Sequence, residues 1–260
     1  MRVPYYRVSA FTSTPFGGNP AGVCLLPTEL SDQQLQSIAA ENNLSETAFL
    51  LPRGADYHLR WFTPSVEVDL CGHATLASAH VLFQERPITA EIIHFHTRSG
   101  PLAARRDGRS IELDFPSRPP QPCPAPTPLL QGLKVSPKEV LRSRDYLAVF
   151  ASEAEVRALE PDMEFIATLD CLGVIVTAPG RDCDFVSRFF APQAGIPEDP
   201  VTGSAHCSLI PYWADRLQKS TFSARQVSAR GGELDCRLSG DRVFMGGRCA
   251  IYQRGELELP

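Results

Sequence analysis

No apolar stretch of this 260-residue sequence approaches the roughly 20 residues that span a bilayer. Its longer runs, such as 147–151 and 173–178, are strand-sized. The opening Met1-Arg2-Val3-Pro4 also lacks the apolar region of a signal peptide, so a cytoplasmic protein with no membrane partner is expected. Neither G-x-G-x-x-G nor G-x-x-x-x-G-K-[ST] occurs, which removes the usual loops for nucleotide phosphates and leaves nucleotide cofactors little support. There is no C-x-x-C and no H-E-x-x-H, so no metal site is expected either. The eight cysteines are scattered without regular pairing and read as reduced thiols. A basic surplus is missing too: the net charge of −5 supplies no field for nucleic acid. An acidic substrate would have to be attracted locally.

What the chain does have is an internal echo. Cys71-Gly72-His73-Ala74-Thr75-Leu76-Ala77-Ser78-Ala79 and Thr202-Gly203-Ser204-Ala205-His206-Cys207-Ser208-Leu209-Ile210 each place Gly and a polar residue at the head of an apolar, helix-length run. A similar phrase precedes each, Trp61-Phe62-Thr63-Pro64 and Phe189-Phe190-Ala191-Pro192. The sequence reads as two copies of one unit, about half a chain apart. A duplicated fold that points two helix N-termini at one cleft offers free N–H groups and two positive dipole ends to an anion. A small carboxylate substrate held there is the expectation.

Periodicity elsewhere is mostly that of strands. Residues 5–11, 20–26, 47–51 and 57–62 alternate or run apolar, with Phe16-Gly17-Gly18-Asn19-Pro20 as a turn. Ser31 can cap a helix whose Leu35, Ile38 and Ala39 share a face, and Asn42-Asn43 ends it. Gly72–Phe83 reads as a buried helix, followed by strands over 92–97, 100–105 and 110–115. The stretch 116–128 holds seven prolines and reads as a linker. The order then repeats: strand 146–151, helix 153–159, strands 173–178 and 184–190, helix 203–217, and further strands over 224–229, 234–238 and 242–246. Strands and helices do not alternate, which argues against a doubly wound sheet. The expected fold is α+β. Two similar lobes, 1–117 and 118–260, would each curl a mostly antiparallel sheet or barrel round one apolar helix, with a return of the last strand to the first lobe left open.

Four phrases in order carry a family resemblance: Phe16-Gly17-Gly18-Asn19-Pro20-Ala21-Gly22-Val23, Asn43-Leu44-Ser45-Glu46-Thr47-Ala48-Phe49, Leu70-Cys71-Gly72-His73-Ala74-Thr75-Leu76-Ala77 and Glu198-Asp199-Pro200-Val201-Thr202-Gly203-Ser204-Ala205-His206. The chain resembles the phenazine-biosynthesis isomerase (PhzF-like) family over nearly its whole length. The resemblance implies the two-lobed diaminopimelate epimerase-like fold, a cofactor-free site and a homodimer. It also implies an isomerase similar to trans-2,3-dihydro-3-hydroxyanthranilate isomerase, which moves a proton between ring carbons with a glutamate as acid and base. Matched by motif, that glutamate is Glu46, with His73, Asp199 and Ser204 around it.

The residues allow a second reading at each position. Glu46 stands between Leu44 and the Ala48-Phe49-Leu50 run, where partial desolvation would raise a carboxyl pKa and suit it to proton transfer from carbon; a surface glutamate at a strand edge fits the same place. His73, following Gly72, can hydrogen-bond a substrate oxygen or simply pack. Asp199 precedes Pro200, which keeps it in the loop ahead of Gly203, and Ser204 can serve an anion or cap the helix. The amino-acid epimerase relatives place a cysteine at the head of each of two helices. Here Cys71 stands at the first position and Thr202 at the second, and a threonine hydroxyl cannot replace a thiolate base. Two-cysteine racemisation is therefore not expected, and Cys71 reads as a packing residue. The alternative to an enzyme is an idle small-molecule-binding or scaffold protein of the same fold.

Overall fold

The computed structural model of the chain describes residues 1–259. It divides into two compact units, 1–114 with 246–259, and Phe115–Met245. The sequence places the boundary at 117 and allows the last strand to return to the first lobe. The C-terminal residues fall in the first unit through the last strand, which pairs with the first.

In the first unit the order is β1 (Arg2–Ala10), β2 (Asn19–Leu25), α1 (Asp32–Asn42), β3 (Glu46–Arg53), β4 (Asp56–Phe62), β5 (Glu67–Val68), α2 (Gly72–Glu85), β6 (Ile92–Thr97), β7 (Gly100–Asp107) and β8 (Ser110–Pro116). Ser31 caps α1 through a box with Gln34, whose backbone N–H reaches the Ser31 hydroxyl at 3.3 Å while its side chain accepts from the Ser31 N–H at 3.0 Å. Asn43 ends it in the left-handed region at φ 47°. β2 runs parallel to β3 and β4 parallel to β6, while β1–β2, β3–β4, β4–β5, β6–β7 and β7–β8 are antiparallel.

The second unit repeats this plan. Its elements are β9 (Gln121–Pro122), α3 (Thr127–Leu133), β10 (Glu139–Arg142), β11 (Tyr146–Val149), α4 (Glu153–Ala158), α5 (Met163–Ala167), β12 (Val174–Pro179), β13 (Phe185–Ala191), β14 (Ile196–Asp199), α6 (Gly203–Leu217), β15 (Thr221–Gln226), β16 (Gly232–Ser239) and β17 (Arg242–Gly247). β11 runs parallel to β12 and β13 parallel to β15, and the neighbours β10–β11, β12–β13, β13–β14 and β15–β16 are antiparallel. Pairing is thus mostly antiparallel in both units, with a parallel step at the same two places in each. The closing strand β18 (Cys249–Glu258) lies antiparallel along the whole of β1.

The proline-rich stretch is more ordered than its composition suggests. Gln121 and Pro122 pair with Arg142 and Leu141, a two-residue edge where a missing donor is tolerated. Pro128 lies in the first turn of α3, where its fixed φ suits a helix and its absent N–H would have no partner anyway.

One apolar helix organises each unit. Most of α2 is buried, on all sides, and it packs against β1, β2, β3, β7 and β18. Its small residues allow that closeness, and its hydroxyls are satisfied within the helix, Thr75 donating to the Cys71 carbonyl at 2.6 Å and Ser78 to Ala74 at 2.7 Å. α6 packs on β16, stacks Trp213 on Phe185 at 5.7 Å and donates from the Trp213 indole to Thr177 at 3.0 Å. Pro211, inside α6, supplies no N–H to the Cys207 carbonyl one turn back. The Arg118 backbone N–H takes that place at 2.8 Å, so the buried acceptor stays satisfied.

Candidate active site

Glu46 is the first residue of β3, alongside Ala21 of the parallel β2. His73 is the second residue of α2. The two elements bring Glu46 Oε2 to 3.2 Å from His73 Nε2, with the side chains only 17% and 7% exposed. On the other side of the ring, Asn19 Nδ2 lies 3.3 Å and Cys71 Sγ 3.4 Å from His73 Nδ1. An amide nitrogen only donates, so Nδ1 accepts and the proton of the neutral ring sits on Nε2, facing Glu46. Burial keeps the ring neutral by pushing its pKa down to about 4.

Asn19 is positioned by the turn before β2. Gly18 takes φ 63°, and a Cβ there would meet the Ala10 carbonyl oxygen at 2.1 Å, so only glycine allows the chain to bring the Asn19 amide inside. Asn19 itself is fully buried. Its one signal in the sequence is an amide closing a Gly-Gly turn. Cys71 is buried and its Sγ stands against the imidazole. Glu46, Cys71 and His73 offer ligand atoms within 4.8 Å of one another, a spacing that can hold a cation. The ring, however, turns different nitrogens to the carboxylate and the thiol, an arrangement that does not suit a chelate.

In the second unit, Asp199 closes β14 and Thr202 precedes α6. Thr202 donates its hydroxyl to Asp199 Oδ2 at 2.5 Å. Gln226, at the end of β15, donates to the Asp199 carbonyl at 2.7 Å and to Thr202 Oγ1 at 3.1 Å, and accepts from the Thr202 N–H at 2.8 Å. The threonine at the second cysteine position thus holds the Asp199 carboxylate, and Gln226, which no sequence motif marked, ties the corner together. Arg188 secures the same segment with a two-pronged pair to Glu198 at 2.7 and 3.0 Å. Beyond this corner Ser204 is half-buried and Gly203 buried. His206 is fully buried, bonds the Thr202 carbonyl through Nδ1 at 2.8 Å, and is also pushed down to about 4 by burial.

The helix starts differ in kind. Ser31, Ser152 and Asp162 cap α1, α4 and α5 with side-chain hydrogen bonds. Cys71 and Thr202 make no such bond to the first turns of α2 and α6. The first-turn N–H groups at Gly72–His73 and Gly203–Ser204 are left for another acceptor.

Comparison with known proteins agrees with these motifs. The family model described as phenazine biosynthesis-like protein matches residues 8–255. A protein of Pseudomonas aeruginosa named an uncharacterized isomerase is 52% identical, with all of both chains covered. The crystal structure of a PhzF-family phenazine biosynthesis protein from Enterococcus faecalis has a TM-score of 0.98 at 47% identity, again covering 100% of each chain. A hydroxyproline epimerase from Agrobacterium vitis, at 11% identity and TM-score 0.62 over 98% of this chain and 92% of its own, shares the fold. Among the described residues no helix is long and apolar enough to cross a membrane.

Proposed function

The chain belongs to the phenazine biosynthesis-like family, a family with members named isomerases, and we propose that it moves a proton within a small carboxylate-bearing substrate without a cofactor. The observation that carries this reading is Glu46 Oε2 standing 3.2 Å from His73 Nε2, with the imidazole neutral and its other nitrogen engaged. Glu46 takes a proton from one carbon and returns it to another. His73, donating from Nε2, steadies the carboxylate or a substrate oxygen as charge develops. Gly72, Gly203 and Ser204 offer N–H groups to a substrate carboxylate. Asp199, fixed by Thr202 and Gln226, accepts a hydrogen bond from a polar substrate group. A homodimer of such chains, acting on a cyclic or enolisable acid, completes the proposal.

The test is Glu46→Gln, which keeps the size and hydrogen-bonding reach but not the proton transfer. On a carboxylate found by screening metabolites for thermal stabilisation, turnover should fall at least about 10²-fold, the usual scale of an acid–base group, while binding persists. A folded variant with undiminished turnover removes Glu46 from the mechanism. Binding without turnover in either protein favours an idle binding protein instead.

A further inference from the structure

A cavity of about 430 Å³ opens in the first unit, away from Glu46 and His73. Its walls include the last turns of α2, the turn between β7 and β8, and the residues leading into β18. His80 and Phe83 follow His73 by seven and ten residues on one helix, so this cavity lies about 10–15 Å along α2 from the imidazole. Arg106, Arg109 and Arg248 all line it, with His80, Phe83 and Ser110, and no acidic side chain does. In a chain of net charge −5 such a concentration of one sign needs an explanation.

Partly buried arginines of this chain meet carboxylates, as Arg60 meets Glu67 and Arg188 meets Glu198. Arg109 and Arg248 enter no ion pair among the described residues. Arg106 is held in place without one, its guanidinium 4.2 Å over the Phe83 ring and donating to the Phe83 carbonyl at 3.3 Å. Stacking on the ring orients its planar fork and leaves its charge uncompensated. The volume falls within the range of small-molecule sites. Guanidinium forks match the paired oxygens of phosphate and carboxylate.

We propose that this cavity binds a small oxyanion of at least two charges, a diphosphate or a polycarboxylate, between Arg106, Arg109 and Arg248. Ser110 and the His80 imidazole add hydrogen bonds at its edge. The site is separate from the proposed proton-transfer residues and does not depend on their role.

Titration calorimetry of the full chain with inorganic pyrophosphate, and separately with citrate, tests it. Pyrophosphate alone binding identifies a phosphate-bearing ligand, citrate alone a polycarboxylate, and both together the shared oxyanion chemistry. The variant Arg109→Ala with Arg248→Ala should weaken binding at least tenfold. Arg109→Glu, on an exposed turn where folding is not at stake, should abolish it. The His80 ring resonances should shift as the anion is added. No binding of either probe at millimolar concentration, or equal affinity in the arginine variants, overturns the proposal.

Discussion

Two histidines carry a pH dependence that can be worked out residue by residue. Burial holds both His73 and His206 at about 4 in the folded chain, against about 6.5 when unfolded. Between those values the unfolded chain binds protons that the folded chain refuses. Stability is therefore complete above pH 6.5 and is lost as pH falls toward 4, at up to about 1.4 kcal/mol per pH unit for each ring. Denaturant midpoints at pH 7 and pH 5 should show the drop, and His206→Asn should make the slope shallower. An unchanged slope would mean that the ring is not shielded as its burial indicates. Glu46, His73, Asp199 and Ser204 were legible because each sits inside a contiguous phrase. Asn19, Thr202 and Gln226 act through contacts between distant segments, with Gln226 reaching Asp199 from 27 positions away, and no local pattern announces such a bond.

At the scale of elements, the helices and strands that alternate or cap strongly were readable, down to Ser31 at the head of α1 and Gly203 at the head of α6. The proline-rich stretch was not, because proline forbids only a helix interior or a central strand, and here it occupies an edge and a first turn. α2 fits its strands through close backbone approach. A Cβ on Gly247 would lie 2.5 Å from Phe11 Cδ1 and 3.1 Å from Leu76 Cδ2, and both of those residues are buried. Gly247→Ala should therefore overpack the first unit and cost about 1–3 kcal/mol, read as a lowered denaturation midpoint; an unaltered midpoint would show that Phe11 can step aside. The uncapped start of α6 gives a second expectation. Gly203→Val should crowd the N–H groups there and reduce the affinity for a carboxylate in calorimetric titration, with the circular dichroism spectrum unchanged.

The two units repeat one topology, and their registers locate what was not repeated. Thr47 faces Phe62 across β3 and β4, as Val174 faces Phe190 across β12 and β13. The residue before Thr47 is Glu46, and the residue before Val174 is Gly173. A Cβ at Gly173 would strike Phe189 Cζ at 2.4 Å, so the second unit has no room for a carboxylate at the matching place. At the helix starts His73 corresponds to Ser204, and Cys71 to Thr202, whose hydroxyl is already given to Asp199. The duplication was visible in sequence as two similar phrases, and so was Thr202 at the second cysteine position; that glycine stands where the second unit would match Glu46 emerges from the strand registers. In the proposed mechanism a single group must then both remove and return the proton. Glu46 Oε2 is shielded from water beside the imidazole, so a proton held there exchanges slowly with solvent. A substrate carrying deuterium at the carbon that loses its proton should, in ordinary water and in single turnover, deliver part of that deuterium to the product carbon that gains one. Mass spectrometry of the product measures the fraction. A two-base mechanism takes the proton with one group and supplies a different one from the other, so its product carries no transferred label. Complete loss of the label within the first turnover would therefore point away from a lone Glu46 shuttle and toward a second proton donor.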